Sequence, residues 1–198
     1  MEPLWPYATP GIPDHFFERL PGIPMSQREV RLVILSALRL GPEAVLWDIG
    51  AGTGTIAIEA ALLCPQGSIV AVERDEDVAL LIKKNCQRFG VTNVDVVVGN
   101  APACLDSLSH VPDAILVGGG RDLKPLLIEA WQKLSPQGRL VVTAGNFQSL
   151  YAISESFSDL QVRNIEVVQA GGSRLETRGS NQVLQPITPI FILSGEKF

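Results

Sequence analysis

The chain of 198 residues carries only two histidines, three cysteines and no run of about 18 uninterrupted apolar residues. Each scarcity removes a class of function. His15 and His110 lie far apart in sequence, with no metal-ligand spacing and no triad around them, so no metal site is expected. Cys64, Cys86 and Cys104 are odd in number and widely spaced, which argues against a secreted disulfide framework and for reduced thiols packed in a core. The opening MEPLWPYATPGIPDHFF lacks a basic start followed by an apolar stretch, so the expected location is the cytoplasm, with no membrane contact. Lys and Arg total 16 against 21 Asp and Glu, a formal net charge of −5. Backbone binding to nucleic acid rests on clustered cations, so nucleic acid is not an expected partner. There is no low-complexity tract, charge run or internal repeat. With 46% apolar and 19% charged residues, the chain has the composition and length of one globular domain, residues 1–198.

What is present is an alternation of periods. Ser26 followed by Glu29 reads as a capping box, and Val30, Val33, Ile34, Ala37 and Leu38 recur at helical spacing up to about Arg39. VLWDIG, Val45 to Gly50, is a short apolar run expected to form a buried strand. Thr53 to Cys64 places Ala57, Ala60, Ala61 and Cys64 on one helical face. SIVAVE is the second strand, and the segment from Asp75 to a stop at Gly90 is the next helix. VDVVV, DAILVGG and SPQGRLVVTA supply three more strands, the last two separated by the amphipathic helix Leu123 to Leu134. Trp131 and Phe89 fall on helical core faces. A helix around Gln148 to Phe157, then QVRNIEVVQA, a long polar loop and ITPIFILSG complete the chain. The expected fold is α/β: a doubly wound, Rossmann-like, seven-stranded, mostly parallel sheet with a C-terminal antiparallel hairpin.

In such a sheet the ligand sits beyond the carboxyl ends of the strands. The stretch DIGAGTGTIAIEAA, from Asp48 to Ala61, occupies that place. A triphosphate loop needs GxxxxGK[ST], yet no Lys stands between Arg39 and Lys83. A dinucleotide fingerprint needs a glycine three residues after Gly52, where Thr55 stands. The pattern D-x-G-x-G-x-G resembles the class I methyltransferases, which use S-adenosylmethionine. Three further elements follow in order: Glu73 ending the second strand, Asn100-Ala101 after the third, and LSPQGRLVV before the fifth. Glycines let backbone approach a compact zwitterion, Asp48 can face its ammonium directly or through water, and Glu73 offers an acceptor pair to ribose hydroxyls.

The acceptor must be read from the rest of the chain. No N/D-P-P-Y follows the fourth strand, which disfavours methylation of an exocyclic or amide nitrogen. GIPDHFF, PMSQREVR with Glu29-Val30-Arg31, NAP, VGGG and GGSRLETRG together resemble the decarboxylating cobalt-precorrin-6B methyltransferases of cobalamin biosynthesis. That resemblance spans Gly11 to Gly195 and implies methylation of ring carbon 15 with loss of carbon dioxide from the acetate on ring carbon 12. It also implies cofactor contacts at Ser26, at Gly50, Ala51, Gly52, Thr53 and Gly54, at Glu73, and at Ala101. A homotetramer is suggested as well, with residues 1–25 an extension packing near the cofactor. Two positions depart from the family pattern: Glu replaces Asp at 73, and Asn replaces Asp at 100. Ser26 serves equally well as a helix cap alone.

A reduced tetrapyrrole supplies its own electron-rich carbon, so no strong base is required for methyl transfer and no catalytic residue is assigned. Its carboxylates call for cations. Arg174 and Arg178 in GGSRLETRG are the first candidates, with Arg121 and Asn146 on the same carboxyl-end rim. The alternative is that these arginines only solubilise a polar loop. His15 lies in a segment able to close over the cofactor, or is simply a surface residue. Two rival functions stand beside this reading: a tRNA adenine methyltransferase, which needs a basic surface, and a non-catalytic module that binds S-adenosylmethionine.

Overall fold

The computed structural model describes residues 3–120 and 122–198. Seven strands form one sheet: β1 (Val45–Ile49), β2 (Ser68–Glu73), β3 (Val94–Val98), β4 (Ala114–Val117), β5 (Arg139–Ala144), β6 (Arg163–Arg178) and β7 (Asn181–Glu196). Five helices connect them: α1 (Arg28–Leu38), α2 (Thr55–Leu63), α3 (Glu76–Phe89), α4 (Leu123–Lys133) and α5 (Phe147–Asp159). The order across the sheet is β3-β2-β1-β4-β5-β7-β6. All pairs from β3 to β5 are parallel, whereas β7 runs antiparallel to both β5 and β6. The strand order reverses at β1 and β4, so the crevice for a ligand opens above their carboxyl ends.

Side chains alternate across the central strands and build a core on each face. Leu46, Ile69, Leu116 and Val141 pack with α1 and α2, while Trp47, Val70, Ile115 and Leu140 pack with α4 and α5. Helix α2 is apolar nearly all round, and Thr55 to Ala61 are buried without interruption. Such a helix belongs between layers rather than at a surface. Helix α3 carries its own stop signals. The Asp75 side chain caps its start by accepting from the backbone N–H of Asp77 and Val78, and Gly90 closes its end in the left-handed conformation at φ 67°. The end of α4 is closed differently, by the Lys197 ammonium donating to the carbonyls of Trp131 and Leu134 at 2.6 and 2.7 Å.

The last third departs from expectation in one respect. The polar stretch around GGSRLETRG is not a loop but the paired half of a hairpin, since β6 and β7 are each 16 residues long. Ala144 at the end of β5 stands opposite Phe191, and Arg174 stands opposite Gln185. Residues 181–190 of β7, with their β6 partners, therefore continue past the carboxyl edge of the sheet as a two-stranded arm.

Candidate functional site

The turn from β1 into α2 owes its shape to three glycines in the left-handed region: Gly50 at φ 79°, Gly52 at 55° and Gly54 at 78°. A side chain at Gly54 would also place its Cβ 2.7 Å from Ile82 Cγ2 of α3. The loop is pinned from several sides. Gly50 and Ala51 donate to the Val72 carbonyl at 2.9 and 3.1 Å, and Gly54 donates to Ala51 at 2.9 Å. Gly52 donates to Glu73 Oε2 at 3.1 Å, while Glu73 Oε1 accepts from Arg74 and Asp75. The Glu73 carboxylate is thus fixed against the loop. Gly99 donates to the Glu73 carbonyl at 2.9 Å, which brings exposed Asn100 and half-buried Ala101 to the same edge. The structure brings together Asp48, Gly50, Ala51, Gly52, Thr53, Gly54, Glu73, Asn100 and Ala101 at the carboxyl ends of β1, β2 and β3.

Asp48 lies underneath this loop. It is 2% exposed, and its Oδ2 has no hydrogen-bond partner among the described residues. Burial pushes its pKa up to about 7, the negative charge of Glu73 adds to the rise, and the backbone of Ala57 in the first turn of α2 opposes it. An unpartnered carboxyl oxygen beneath a turn of three side-chain-free glycines is a place for a cationic group or an ordered water. That chemistry fits the ammonium of S-adenosylmethionine and does not fit a phosphate.

The expected helix cap at Ser26 is not formed. Gln27 occupies the N-cap position of α1 without any side-chain cap bond, and Glu29 turns away to an arginine far along the chain. Ser26 offers its carbonyl to Arg31 Nη1 at 2.5 Å, leaving the hydroxyl outside the capping role. Arg31 itself is fully buried on α1, paired through Nε with Glu59 of α2 at 2.6 Å. Its Nη1 also reaches Asp14 at 3.1 Å, and its Nη2 donates to the Ile12 carbonyl. Glu59 in turn accepts from the backbone N–H of Gly11 and Ile12. The segments GIPD and E-V-R, with Arg174 of β6, are one bonded network that fastens residues 11–26 beside the glycine loop. Sequence reading missed Arg31 and Glu59 as a pair. The available signal was a lone charge inside an otherwise apolar stretch of each helix: Arg31 among Val30, Leu32 and Val33, and Glu59 in TIAIEAALL.

A family model described as the precorrin methyltransferase domain matches residues 20–197. The chain belongs to the precorrin methyltransferase domain family. It is 40% identical over 193 residues to a probable cobalt-precorrin-6B C(15)-methyltransferase (decarboxylating) of Pyrobaculum calidifontis, covering 96% of this chain and 98% of that protein. The cobalt-precorrin-6B C(15)-methyltransferase (decarboxylating) of Salmonella typhimurium is 34% identical over 185 residues, covering 93% and 95%. Among solved structures, the precorrin-6y C5,15-methyltransferase of Geobacter metallireducens superposes with a TM-score of 0.88 at 31% identity, covering 95% and 98%.

In this precorrin methyltransferase domain the four polar candidates for the rim fare differently. Arg174 is not a free cation: it grips Glu29 and contacts Asp14 at 3.4 Å. Arg178 is exposed near the tip of the arm and, among the described residues, meets only Glu176, at 3.5 Å. Asn146 does stand just beyond β5, where its side chain caps α5 by accepting from Ser149 N at 2.8 Å. Arg121 lies outside the described residues. His15 and His110 are both exposed. Among the described residues no group of three or more His, Cys, Asp or Glu could hold a metal. No helix among them is long and apolar enough to cross a membrane.

Proposed function

We infer that this chain transfers a methyl group from S-adenosylmethionine to ring carbon 15 of precorrin-6B, or its cobalt form, and removes the carboxyl of the acetate on ring carbon 12. The step belongs to cobalamin biosynthesis. Family membership supports the acceptor. The observation that carries the donor is the unpartnered Asp48 oxygen beneath three positive-φ glycines, with the Glu73 carboxylate held at the next strand end.

When bound, S-adenosylmethionine supplies an electrophilic methyl on a sulfonium. The glycine loop would let backbone approach its methionine end, and Asp48 would balance the ammonium. Glu73 would accept from the ribose hydroxyls, Asn100 and Ala101 would border the adenine, and Ser26 would close the site from the N-terminal side. The acceptor carbon is its own nucleophile, so the protein's contribution to methyl transfer is alignment and exclusion of water. Decarboxylation releases carbon dioxide and leaves its electron pair to the conjugated ring, after which the former acetate carbon takes up a proton. Arg178 and Asn146 are the proposed partners of substrate carboxylates, and the sequence adds Arg121 to them.

Self-association is part of the same reading. Leu175 and Leu184 stand opposite one another on the arm at 56% and 65% exposure, beside the unpaired outer edge of β6. Bare apolar edges of this kind are covered in stable proteins, and we propose a homotetramer as the cover. The cytoplasm is the compartment in which the free thiols Cys64, Cys86 and Cys104 stay reduced.

Incubation with the ring-contracted, methylated precorrin and S-adenosylmethionine is expected to add the mass of one methyl and remove that of carbon dioxide. An unchanged precorrin mass under conditions where calorimetry records cofactor binding defeats the acceptor. Absence of heat with either S-adenosylmethionine or its demethylated product defeats the donor.

A further inference from the structure

One fully buried polar side chain touches both the glycine loop and the segment that crosses it, and none of the motifs includes it. Asn85 of α3 is 0% exposed. Its Oδ1 accepts from the backbone N–H of Glu18 at 2.8 Å. Its Nδ2 donates to the Glu18 carbonyl and to the Thr53 carbonyl, both at 3.1 Å. Thr53 is held on its other side as well, because its Oγ1 donates to the Pro24 carbonyl at 3.1 Å. We propose that Asn85 is a positioning residue for the methyl donor: it sets the Thr53 peptide of the glycine loop and locks the strap of residues 18–26 over it.

A primary amide is the side chain this task requires. Meeting the N–H and the carbonyl of Glu18 takes one acceptor and one donor in a plane, and the second amide hydrogen remains for Thr53. A carboxylate of the same shape keeps only the acceptor and sets a charge against two carbonyls. The site is rigid on the α3 side, since Ile82 lies one turn earlier against Gly54 and leaves no room for a Cβ there. Without Asn85 the strap and Thr53 are no longer ordered by a common partner. The binding-competent arrangement is then a fraction of the population, and the apparent cofactor dissociation constant rises by the inverse of that fraction. The acceptor chemistry itself does not involve Asn85, so turnover of the saturated enzyme changes little.

This inference rests on the glycine loop being the seat of S-adenosylmethionine. The test uses the full chain with Asn85→Asp, which conserves volume, and Asn85→Ala as a second variant that removes the amide without adding charge. Calorimetry with S-adenosylmethionine at pH 8 is expected to show the dissociation constant raised by about tenfold or more. The cofactor KM should rise in step while kcat stays within about threefold. A separate readout is tryptic cleavage after Arg19, an exposed residue on the strap. In the unsubstituted protein the cofactor should suppress that cut, and in the variants the cut should persist at cofactor concentrations that saturate the parent. A variant that melts at lower temperature yet keeps the parental dissociation constant and the parental protection of Arg19 overturns the proposal and leaves Asn85 a packing residue. A parent that binds no S-adenosylmethionine overturns the donor assignment beneath it.

Discussion

Arg174 of β6 holds both carboxylate oxygens of Glu29 at the start of α1, through Nε at 3.1 Å and Nη2 at 2.5 Å, across 145 positions of sequence. Burial of Glu29 works against its charge, but hydrogen bonds from Arg174, from its own backbone and from Arg28 outweigh that, and its pKa falls to about 2 from 4.5. A depressed carboxyl pKa contributes stability that is complete above the unfolded value and is lost as pH falls through the folded one. Arg174→Ala should therefore lower the melting temperature most above pH 4.5, with the gap to the parent closing towards pH 2. Both side chains are about a third exposed, so the loss is about 0.5–1.5 kcal/mol. Thermal melts across that pH range measure it, and a gap independent of pH would remove the pair as its cause.

Arg178 should behave in the opposite manner. It is exposed and has one long contact, so Arg178→Ala should leave the melting temperature within about a degree. If it meets a substrate carboxylate, the precorrin KM should rise severalfold while cofactor affinity is unchanged. Steady-state kinetics with varied precorrin decides this, and an unaltered KM would return Arg178 to the role of a surface charge.

The buried pair of Arg31 and Glu59 should be intolerant of one-sided loss. Removing either partner strands a charge in the core and costs about 3–5 kcal/mol. Glu59→Gln should cost less than Glu59→Ala, since an amide oxygen still accepts from Gly11, Ile12 or Arg31. Urea denaturation of the three single variants gives the ranking, and a near-neutral Arg31→Ala would contradict it.

Asp48 predicts two opposed pH effects. Its folded-state pKa of about 7 lies above the ordinary 3.8, so between those values the folded protein binds the extra proton and stability falls as pH rises. Asp48→Asn should raise the melting temperature of the ligand-free protein at pH 8, with the advantage vanishing below pH 4. The same substitution should weaken cofactor binding. In the parent, binding near pH 6.5 should release protons, because a nearby ammonium favours the charged carboxyl. Calorimetry in two buffers of different ionisation enthalpy reads that release; equal heats in both would separate Asp48 from the ammonium.

Gly54→Ala should abolish tight cofactor binding, whereas Gly50→Ala should only weaken it. Both require a residue at positive φ, which costs an alanine about 1–2 kcal/mol. Only Gly54 adds a steric conflict, with Ile82 at 2.7 Å, while nothing lies within 4 Å of a Cβ at Gly50. Fluorescence or calorimetric titration of both variants should give the larger loss at Gly54.

The parts legible in sequence were those governed by local rules. The start of α3 near Asp75, the Gly90 stop and the five apolar runs of the parallel sheet follow from spacing alone, as does the glycine loop with Asp48 and Glu73 at neighbouring strand ends. The arm escaped because the outer half of β6, residues 171–178, is exposed at most positions on both faces, so neither alternation nor an apolar run marks it as a strand, although QVRNIEVVQA before it reads as one. Its glycines and charges read as a loop. Ser26 and Glu29 had the spacing of a capping box, yet Arg174 offers Glu29 a charged partner in place of the Ser26 N–H that a capping box uses, and a contact between residues 29 and 174 leaves no trace in a local window. Asn85 was hidden for a related reason: a single polar residue inside a helix takes its meaning from the loops that approach it.

The antiparallel course of β7 carries the chain from the ligand edge of the sheet back to the opposite edge, where Glu196 pairs with Arg139 at the start of β5 and Lys197 bonds to Gly138. Anything attached after Phe198 therefore hangs from the far side of the molecule. A surface anchor or bulky dye joined there leaves the entrance open.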